Sequence, residues 1–133
     1  MDVLTTRTAP RYTRPEGITS YLLASTRTCG AEHLTTSLVD VDPGGAQRVH
    51  SHAPEQIYFI LEGRGRMTVG TVSRHVQAGD CVFIPSRTRH GLENTSSDRL
   101  RYFSAAAPAF LPQELESFWP LSAAKPREEP GEE

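Results

Sequence analysis

Three histidines are the residues of this chain whose type and spacing best suit chemistry. His50 and His52 lie two residues apart. Because successive side chains of an extended strand alternate sides, both would point to the same face. His90 begins another strand-like segment further along the chain. Imidazole nitrogens bind divalent transition metals such as Zn, Fe, Mn, Ni and Cu. The three histidines therefore predict a site for one such metal, whose identity the sequence leaves open.

Gln56 is the candidate for a fourth metal ligand. It opens the apolar run 57–61, which is typical of a buried strand. Strand alternation predicts that Gln56 points inward and Glu55 outward. The side-chain carbonyl of glutamine can donate an oxygen to a metal, although more weakly than a carboxylate. Three alternatives stay open: Glu55 supplies the oxygen, the three histidines hold the metal alone, or the chain has lost the metal.

The elements that must position these residues are predicted to be short β-strands. Glycine, proline and Asn/Asp turn signals separate them, and no apolar pattern of 3.6-residue period lasts more than a few turns. The pattern therefore predicts an all-β fold of the sandwich or barrel type. The predicted strands are 18–24, 33–41, 48–52, 56–62, 66–69, 74–77, 81–84, 90–93 and 99–104.

The chain divides into an N-terminal arm (1–17), a β-barrel domain (18–106) and a C-terminal extension with a tail (107–133). Two prolines break the arm, which has little structure of its own unless something pairs with it. In the extension, 112–118 is predicted to form a short helical turn with proline at its start, and Leu115, Phe118 and Trp119 are expected to pack on the barrel. The charged, proline-rich ending 125–133 is typical of a disordered tail.

Composition narrows the class of protein. A length of 133 residues fits one domain, and a formal net charge of −2 argues against a nucleic-acid-binding surface. No apolar run is long enough to span a membrane and no signal-like pattern begins the chain, so the expectation is a cytoplasmic protein with a small-molecule partner. Two cysteines are too few for a disulfide framework and are expected to stay reduced.

The histidine pair lies in a pattern that resembles the first motif of the cupin family, which consists of small jelly-roll β-barrel metalloproteins. That motif is a glycine, five residues, His-x-His, three or four residues, Glu, six residues and a glycine. It falls here on Gly44, His50, His52, Gln56 and Gly63, so the chain carries glutamine where the family carries glutamate. The spacing to Gly63 supports Gln56, and not Glu55, as the matching position.

The second cupin motif falls on the segment that contains His90. The family pattern of glycine, five residues, proline, one residue, glycine, two residues, histidine, three residues and asparagine corresponds to Gly79, Pro85, Arg87, His90 and Asn94. Arg87 replaces the usual glycine, at a position where glycine would tolerate a positive φ. The resemblance implies a jelly-roll barrel over about 18–104, with His50, His52 and His90 as metal ligands.

Strand alternation also nominates residues that line the barrel. Tyr58 shares the face of Gln56, so its phenol is a candidate proton donor beside the metal, or else an aromatic core residue. Arg48 shares the predicted face of His50 and could pair with a substrate carboxylate, or else lie at the rim as a solvated charge. One of Tyr102 and Phe103 should face inward.

The outer face of strand 56–62 is apolar as well, through Ile57, Phe59 and Leu61. Something must cover that face, and a second subunit is a plausible cover. Many cupins are homodimers, some with exchanged N-terminal arms, so the resemblance implies a homodimer with a role for the proline-broken arm in the contact.

The predicted ligand set carries no charge, and this favours one kind of chemistry. A divalent metal held by three imidazoles and an amide keeps its full charge, so it is a strong Lewis acid that attracts an anionic oxygen and resists oxidation. The expected activity is therefore a non-redox proton transfer on a small anionic carbonyl compound, of the isomerase, cyclase or lyase type. A metal-dependent dioxygenase and a non-catalytic small-molecule-binding cupin are the alternatives. No helix-turn-helix pattern is present.

Overall fold

The computed structural model describes residues 1–121, which form ten β-strands and one short helix. The strands are β1 (Arg11–Arg14), β2 (Ile18–Leu22), β3 (Thr35–Val41), β4 (Ala46–His50), β5 (Glu55–Glu62), β6 (Arg64–Val69), β7 (Val72–Gln77), β8 (Cys81–Ile84), β9 (His90–Glu93) and β10 (Leu100–Ala107). Helix α1 (Pro112–Phe118) follows the last strand. The prediction of an all-β fold with a short C-terminal helical segment is confirmed. The predicted tail 125–133 lies outside the described residues.

Two antiparallel sheets enclose the core. One has six strands in the order β1-β2-β3-β10-β5-β8, and the other has four in the order β4-β9-β6-β7. Alternate residues of each sheet point inward, as the pleat requires. Buried residues of both sheets meet in one cluster: Ile18, Val39, Val41, Tyr58, Ile60, Met67, Val76, Ile84, Leu92, Leu100 and Tyr102. The arrangement is the jelly roll that the two motifs predicted.

The predicted N-terminal arm contains a strand that sequence reasoning missed. Arg11–Arg14 pairs with β2 of the same chain in antiparallel register, Arg14 opposite Ile18 and Arg11 opposite Tyr21. The prolines at positions 10 and 15 bound this strand without interrupting it. β1 is consequently an edge strand of the six-stranded sheet.

The chain after β10 folds back over one end of the barrel. Pro112 begins α1, and the backbone N–H of Leu111 donates to Oε1 of Glu114 (2.8 Å). Leu115 and Trp119 are buried, as expected from the sequence, in a second apolar cluster with Leu22 of β2. Phe118 packs against this cluster but stays partly exposed.

Arginines from other parts of the chain hold the end of α1. Arg14 donates through Nη2 to the carbonyls of Ser117 (3.0 Å) and Phe118 (3.2 Å), and Arg27 donates to the carbonyl of Trp119 (2.7 Å). Terminal helix carbonyls lack partners within the helix and carry partial negative charge. Two cations therefore anchor the segment that covers the barrel.

The outer face of the six-stranded sheet carries exposed apolar side chains. Phe59 and Leu61 of β5 are 38% and 47% exposed, and Phe83 of β8 is 56% exposed. Within residues 1–121 no segment of the chain covers them. The described residues also contain no helix long and apolar enough to cross a membrane.

Candidate metal centre

The three predicted histidines converge inside the barrel. His50 ends β4 and lies directly opposite His90, which begins β9, while His52 follows β4 in the loop to β5. One ring nitrogen from each lies within 4.8 Å of the other two. His90 is fully buried, His52 is 9% exposed and His50 is partly buried. The structure thus brings together three imidazoles that can hold one metal ion.

Each imidazole is oriented by a backbone carbonyl two residues away. Nδ1 of His50 lies 2.8 Å from the carbonyl oxygen of Arg48. Nδ1 of His52 lies 3.0 Å from the carbonyl oxygen of Pro54, and Nδ1 of His90 lies 2.8 Å from that of Thr88. A carbonyl can only accept, so in every case Nδ1–H is the donor. The proton on Nδ1 leaves the lone pair of Nε2 free, which is how metal-binding histidines are commonly oriented.

Two features of these histidines show that a cation fits between them. Nε2 of His90 is buried and has no hydrogen-bond partner among the described residues. Both ring nitrogens of His52 face oxygens: Nδ1 faces the carbonyl of Pro54, and Nε2 lies 2.8 Å from Oε1 of Gln56. A neutral imidazole has only one N–H, so a cation coordinated by both Nε2 and Oε1 would satisfy the two atoms.

Gln56 points into the site and Glu55 points away from it. Gln56 is 7% exposed, whereas Glu55 is exposed on the surface, as strand alternation predicts. The amide nitrogen of Gln56 donates to Oγ of Ser104 on β10 (2.5 Å), and its oxygen faces His52. Gln56 is therefore positioned to serve as a fourth ligand, and the assignment itself stays a prediction.

Burial favours the neutral form of two of the three imidazoles, those of His50 and His90. Desolvation lowers the pKa of His90 to about 4, although its hydrogen bond to the Thr88 carbonyl acts in the opposite direction. Burial likewise lowers the pKa of His50. A metal binds the neutral imidazole, so at neutral pH neither residue must first lose a proton.

Tyr58 lies beside the histidines. Its side chain is 2% exposed, and its ring centroid is 5.8 Å from that of His90 and 4.2 Å from that of Tyr102, on which it stacks. Burial raises the pKa of Tyr58, an effect partly opposed by a hydrogen bond from Tyr102. Without a metal the phenol is thus protonated, and it can donate but not act as a base.

Tyr102 is the inward-facing member of the pair left open by the sequence, since Phe103 is only partly buried.

The structure does not bring Arg48 into the barrel. Its side chain is 76% exposed and lies 3.8 Å from the carboxylate of Glu16. The ladder between β4 and β9 shifts register between Gln47 and His50, and such a bulge reverses the alternation from which Arg48 was assigned inward. Gln47 lines the cavity instead. The catalytic assignment of Arg48 is therefore not supported by its position.

A cavity of about 30 Å³ lies beside the histidines. Its walls include Arg14, Ser20, Ser37, Gln47, Tyr58, Tyr102 and Ser104 from the barrel, and Phe110, Phe118 and Trp119 from the C-terminal segment. This volume admits one or two waters but no larger molecule. No carboxylate is among the lining residues within the described chain, and Arg14 is their one cation.

Aromatic rings of the C-terminal segment cover the histidines. The ring centroid of Phe118 is 5.5 Å from that of His50, and that of Phe110 is 5.0 Å from that of His52. Sequence reasoning placed Phe118 against the barrel but did not predict that it would wall the site. It also missed Arg14 and Ser104, because neither lies at a motif position. Strand alternation around Tyr102 was the one signal that could have placed Ser104 inward.

Arg87 keeps the backbone conformation that its motif position requires. Its φ is +59°, in the left-handed region that favours glycine. Its N–H donates to the carbonyl of His52 (2.8 Å), which ties the second motif to the first. The replacement of glycine therefore leaves this turn of the site in place.

Comparison with known proteins relates the fold and the site to a family. Uncharacterized protein MJ1618 of Methanocaldococcus jannaschii is 34% identical over 86 residues, which are 64% of this chain and 67% of that protein. Dimethylsulfoniopropionate lyase DddW of Ruegeria pomeroyi is 33% identical over 58 residues, which are 44% of this chain but only 38% of that enzyme.

Solved structures share the fold. The crystal structure of a predicted oxalate decarboxylase from Thermotoga maritima superposes with a TM-score of 0.70, at 23% identity, over 80% of this chain and 99% of that one. The family pattern described as Cupin domain matches residues 37–106, which hold all three histidines, Gln56 and both motifs. The chain belongs to the cupin domain family.

Proposed function

We propose that this protein is a metal-dependent enzyme that acts on a small anionic carbonyl compound by non-redox proton transfer, as an isomerase, cyclase or lyase. The observation that carries the proposal is the charge of the site. Three imidazoles and the Gln56 amide face one another, and no carboxylate lines the cavity in the described chain. A divalent cation held there keeps its charge uncompensated.

His50, His52, His90 and Gln56 would hold the metal through Nε2 atoms and one amide oxygen. Bound there, a divalent ion supplies Lewis-acid polarisation of a carbonyl or carboxylate oxygen. The residues around it stabilise negative charge that develops on the substrate. Arg14 and the hydroxyls of Ser20 and Ser37 line the adjacent cavity, which admits only water while Phe110 and Phe118 cover it. Once this cover opens, a small oxygen-rich anion would meet both a cation and hydrogen-bond donors there.

Tyr58 would move the proton. Its phenol is protonated and buried beside His90, so its O–H can donate to a substrate atom. The positive charge of a bound metal would bring its pKa back down and help the proton leave. Tyr58 would thus be the group that donates a proton to an enolate-like substrate.

The similar proteins favour the lyase type. One is named as a dimethylsulfoniopropionate lyase and another as a predicted oxalate decarboxylase, and decarboxylases are themselves lyases. Both likenesses are distant, and the match to DddW covers a minor part of that enzyme. They support the class of reaction and leave the substrate to experiment.

Oxygen consumption separates this proposal from an oxygenase. The purified protein would be loaded in turn with Zn²⁺, Mn²⁺, Fe²⁺, Ni²⁺ and Cu²⁺ and screened against small hydroxy and keto acids, with product formation and dissolved O₂ followed together. We expect turnover without O₂ uptake, including under anaerobic conditions. Stoichiometric O₂ uptake would identify a dioxygenase, and tight binding without turnover would identify a binding protein.

We further propose that the protein is a homodimer that buries the exposed face of β5 and β8. Phe59, Leu61 and Phe83 form an apolar patch there, and contiguous apolar surface of this kind is typical of subunit contacts. A Phe83→Glu variant should elute as a monomer where the wild type elutes as a dimer. A Val72→Glu variant, which adds the same charge at an exposed position of the other sheet, is the control.

A further inference from the structure

We propose that Ser104 is a positioning residue that supplies the acceptor for the buried Gln56 amide N–H when the amide oxygen faces the metal. The inference rests on the proposed role of Gln56 as a ligand and goes beyond it. An amide offers an oxygen on one side and an NH₂ on the other, and only the oxygen binds a cation. A glutamate has no such ambiguity, so the replacement in this chain creates a requirement that the family pattern does not have.

The geometry places Ser104 where it can meet that requirement. Gln56 Nε2 donates to Oγ of Ser104 at 2.5 Å, while Oε1 lies on the opposite side, 2.8 Å from Nε2 of His52. Gln56 is opposite Ala106 in the ladder between β5 and β10, so its side chain reaches diagonally to Ser104, two residues away on the same face.

Burial makes loss of this contact costly. Gln56 is 7% exposed and Ser104 is 3% exposed, so water does not readily replace the hydroxyl as an acceptor. When a cation draws electron density from Oε1, the amide N–H becomes a stronger donor and its bond to Ser104 strengthens. Ser104 thus stabilises the metal-bound arrangement more than the metal-free one.

The neighbouring strand offers a matched control. Ser37 of β3 lies directly opposite Ser104, is 6% exposed and lines the same cavity, but makes no hydrogen bond to Gln56. Ser37→Ala removes the same hydroxyl from the same environment. A loss that depends only on packing or on cavity polarity should therefore appear in both serine variants.

The test measures binding of Co²⁺ alone, by its visible absorption in competition with a chelator of known affinity. We expect Ser104→Ala to weaken Co²⁺ binding about 10- to 100-fold, the usual effect of removing a group that orients a ligand, and to shift the Co²⁺ bands. Ser37→Ala should leave both unchanged. In a Gln56→Ala background, Ser104→Ala should cause no further loss.

A Gln56→Glu background gives the most specific readout. Ser104 can there only donate to the second carboxylate oxygen, which draws charge away from the ligand. Because either carboxylate oxygen can bind the metal, removing Ser104 should cost clearly less Co²⁺ affinity here than beside glutamine. Equal losses in both backgrounds, or an unchanged affinity of Ser104→Ala, would overturn the positioning role. A wild type that binds no Co²⁺, Zn²⁺ or Mn²⁺ would instead overturn the proposed function.

Discussion

Replacing Arg14 with alanine should loosen the C-terminal segment that covers the metal centre. Arg14 donates to the carbonyls of Ser117 and Phe118 at 3.0 and 3.2 Å, and its guanidinium lies 4.9 Å from the ring centroid of Tyr12. A hydrogen bond to a charged group contributes about 1.5–3 kcal/mol when buried. Because these contacts are only partly buried, we expect the free energy that holds the C-terminal segment closed to fall by about 1–2 kcal/mol in total. This raises the equilibrium constant for local opening roughly 5- to 30-fold.

Trp119 reports this opening directly. It is the single tryptophan of the chain, is 3% exposed, and donates through Nε1 to the carbonyl of Ser20 (3.1 Å). Acrylamide quenching of its fluorescence should rise in Arg14→Ala, and hydrogen exchange over 112–119 should accelerate by the same factor. Extraction of Zn²⁺ by 1,10-phenanthroline should also accelerate, and because this chelator is neutral, loss of the arginine charge does not itself change its approach.

Arg11 provides the matched control. It lies on the same strand, donates to the carbonyl of Thr6 at 3.2 Å, and stacks on Tyr21 at 4.9 Å, and among the described residues it has no hydrogen bond to the C-terminal segment. Arg11→Ala should therefore leave quenching and extraction at wild-type rates. If Arg14→Ala also left both unchanged, or if Arg11→Ala changed them equally, the anchoring of the cover by Arg14 would be refuted.

Three further predictions follow from single side chains. Tyr58→Phe keeps the ring stacking but removes the hydroxyl, so turnover should fall about 10²- to 10⁴-fold while Zn²⁺ affinity, measured by competition, stays unchanged. In metal-free protein the pKa of His90 is about 4, below the 6.5 of an unfolded chain, so the unfolded state gains its proton first as the pH falls. Urea unfolding should therefore show stability decreasing between pH 6.5 and 4, by about 3 kcal/mol, and a flat profile would refute the assignment. Gly63→Ala would drive a Cβ against the carbonyl oxygen of Arg99 at a φ of +85°, whereas Gly79→Ala meets no atom at a similar φ of +97°; thermal unfolding should show the larger loss, roughly 1–3 kcal/mol more, at Gly63.

The local parts of the fold could be predicted because they depend on local chemistry. Turn glycines and prolines bounded strands such as Cys81–Ile84 and His90–Glu93, and proline marked the start of Pro112–Phe118, all at the residues where the structure has them. The spacing of His50, His52 and His90 placed the metal centre because strand alternation and motif spacing agree there.

The errors arose where a long-range contact or a bulge decides the structure. Strand alternation left Arg48 either facing a substrate or at the rim, and the bulge in β4 decides for the exposed position. β1 was missed because Arg11–Arg14 forms a strand only by pairing with β2. Phe118 reaches His50 from a segment 68 positions later in the chain, a contact that no local pattern reports.

Part of the cavity wall comes from segments outside the region that the family pattern matches. The family pattern ends at residue 106 and contains every histidine of the centre, whereas Arg14, Ser20, Phe110, Phe118 and Trp119 lie outside it. The family match therefore covers the candidate metal ligands but only part of the residues that would meet a substrate. We expect the flanking segments to contribute to substrate selectivity. Exchanging 108–121 between relatives should change substrate preference while leaving metal affinity intact.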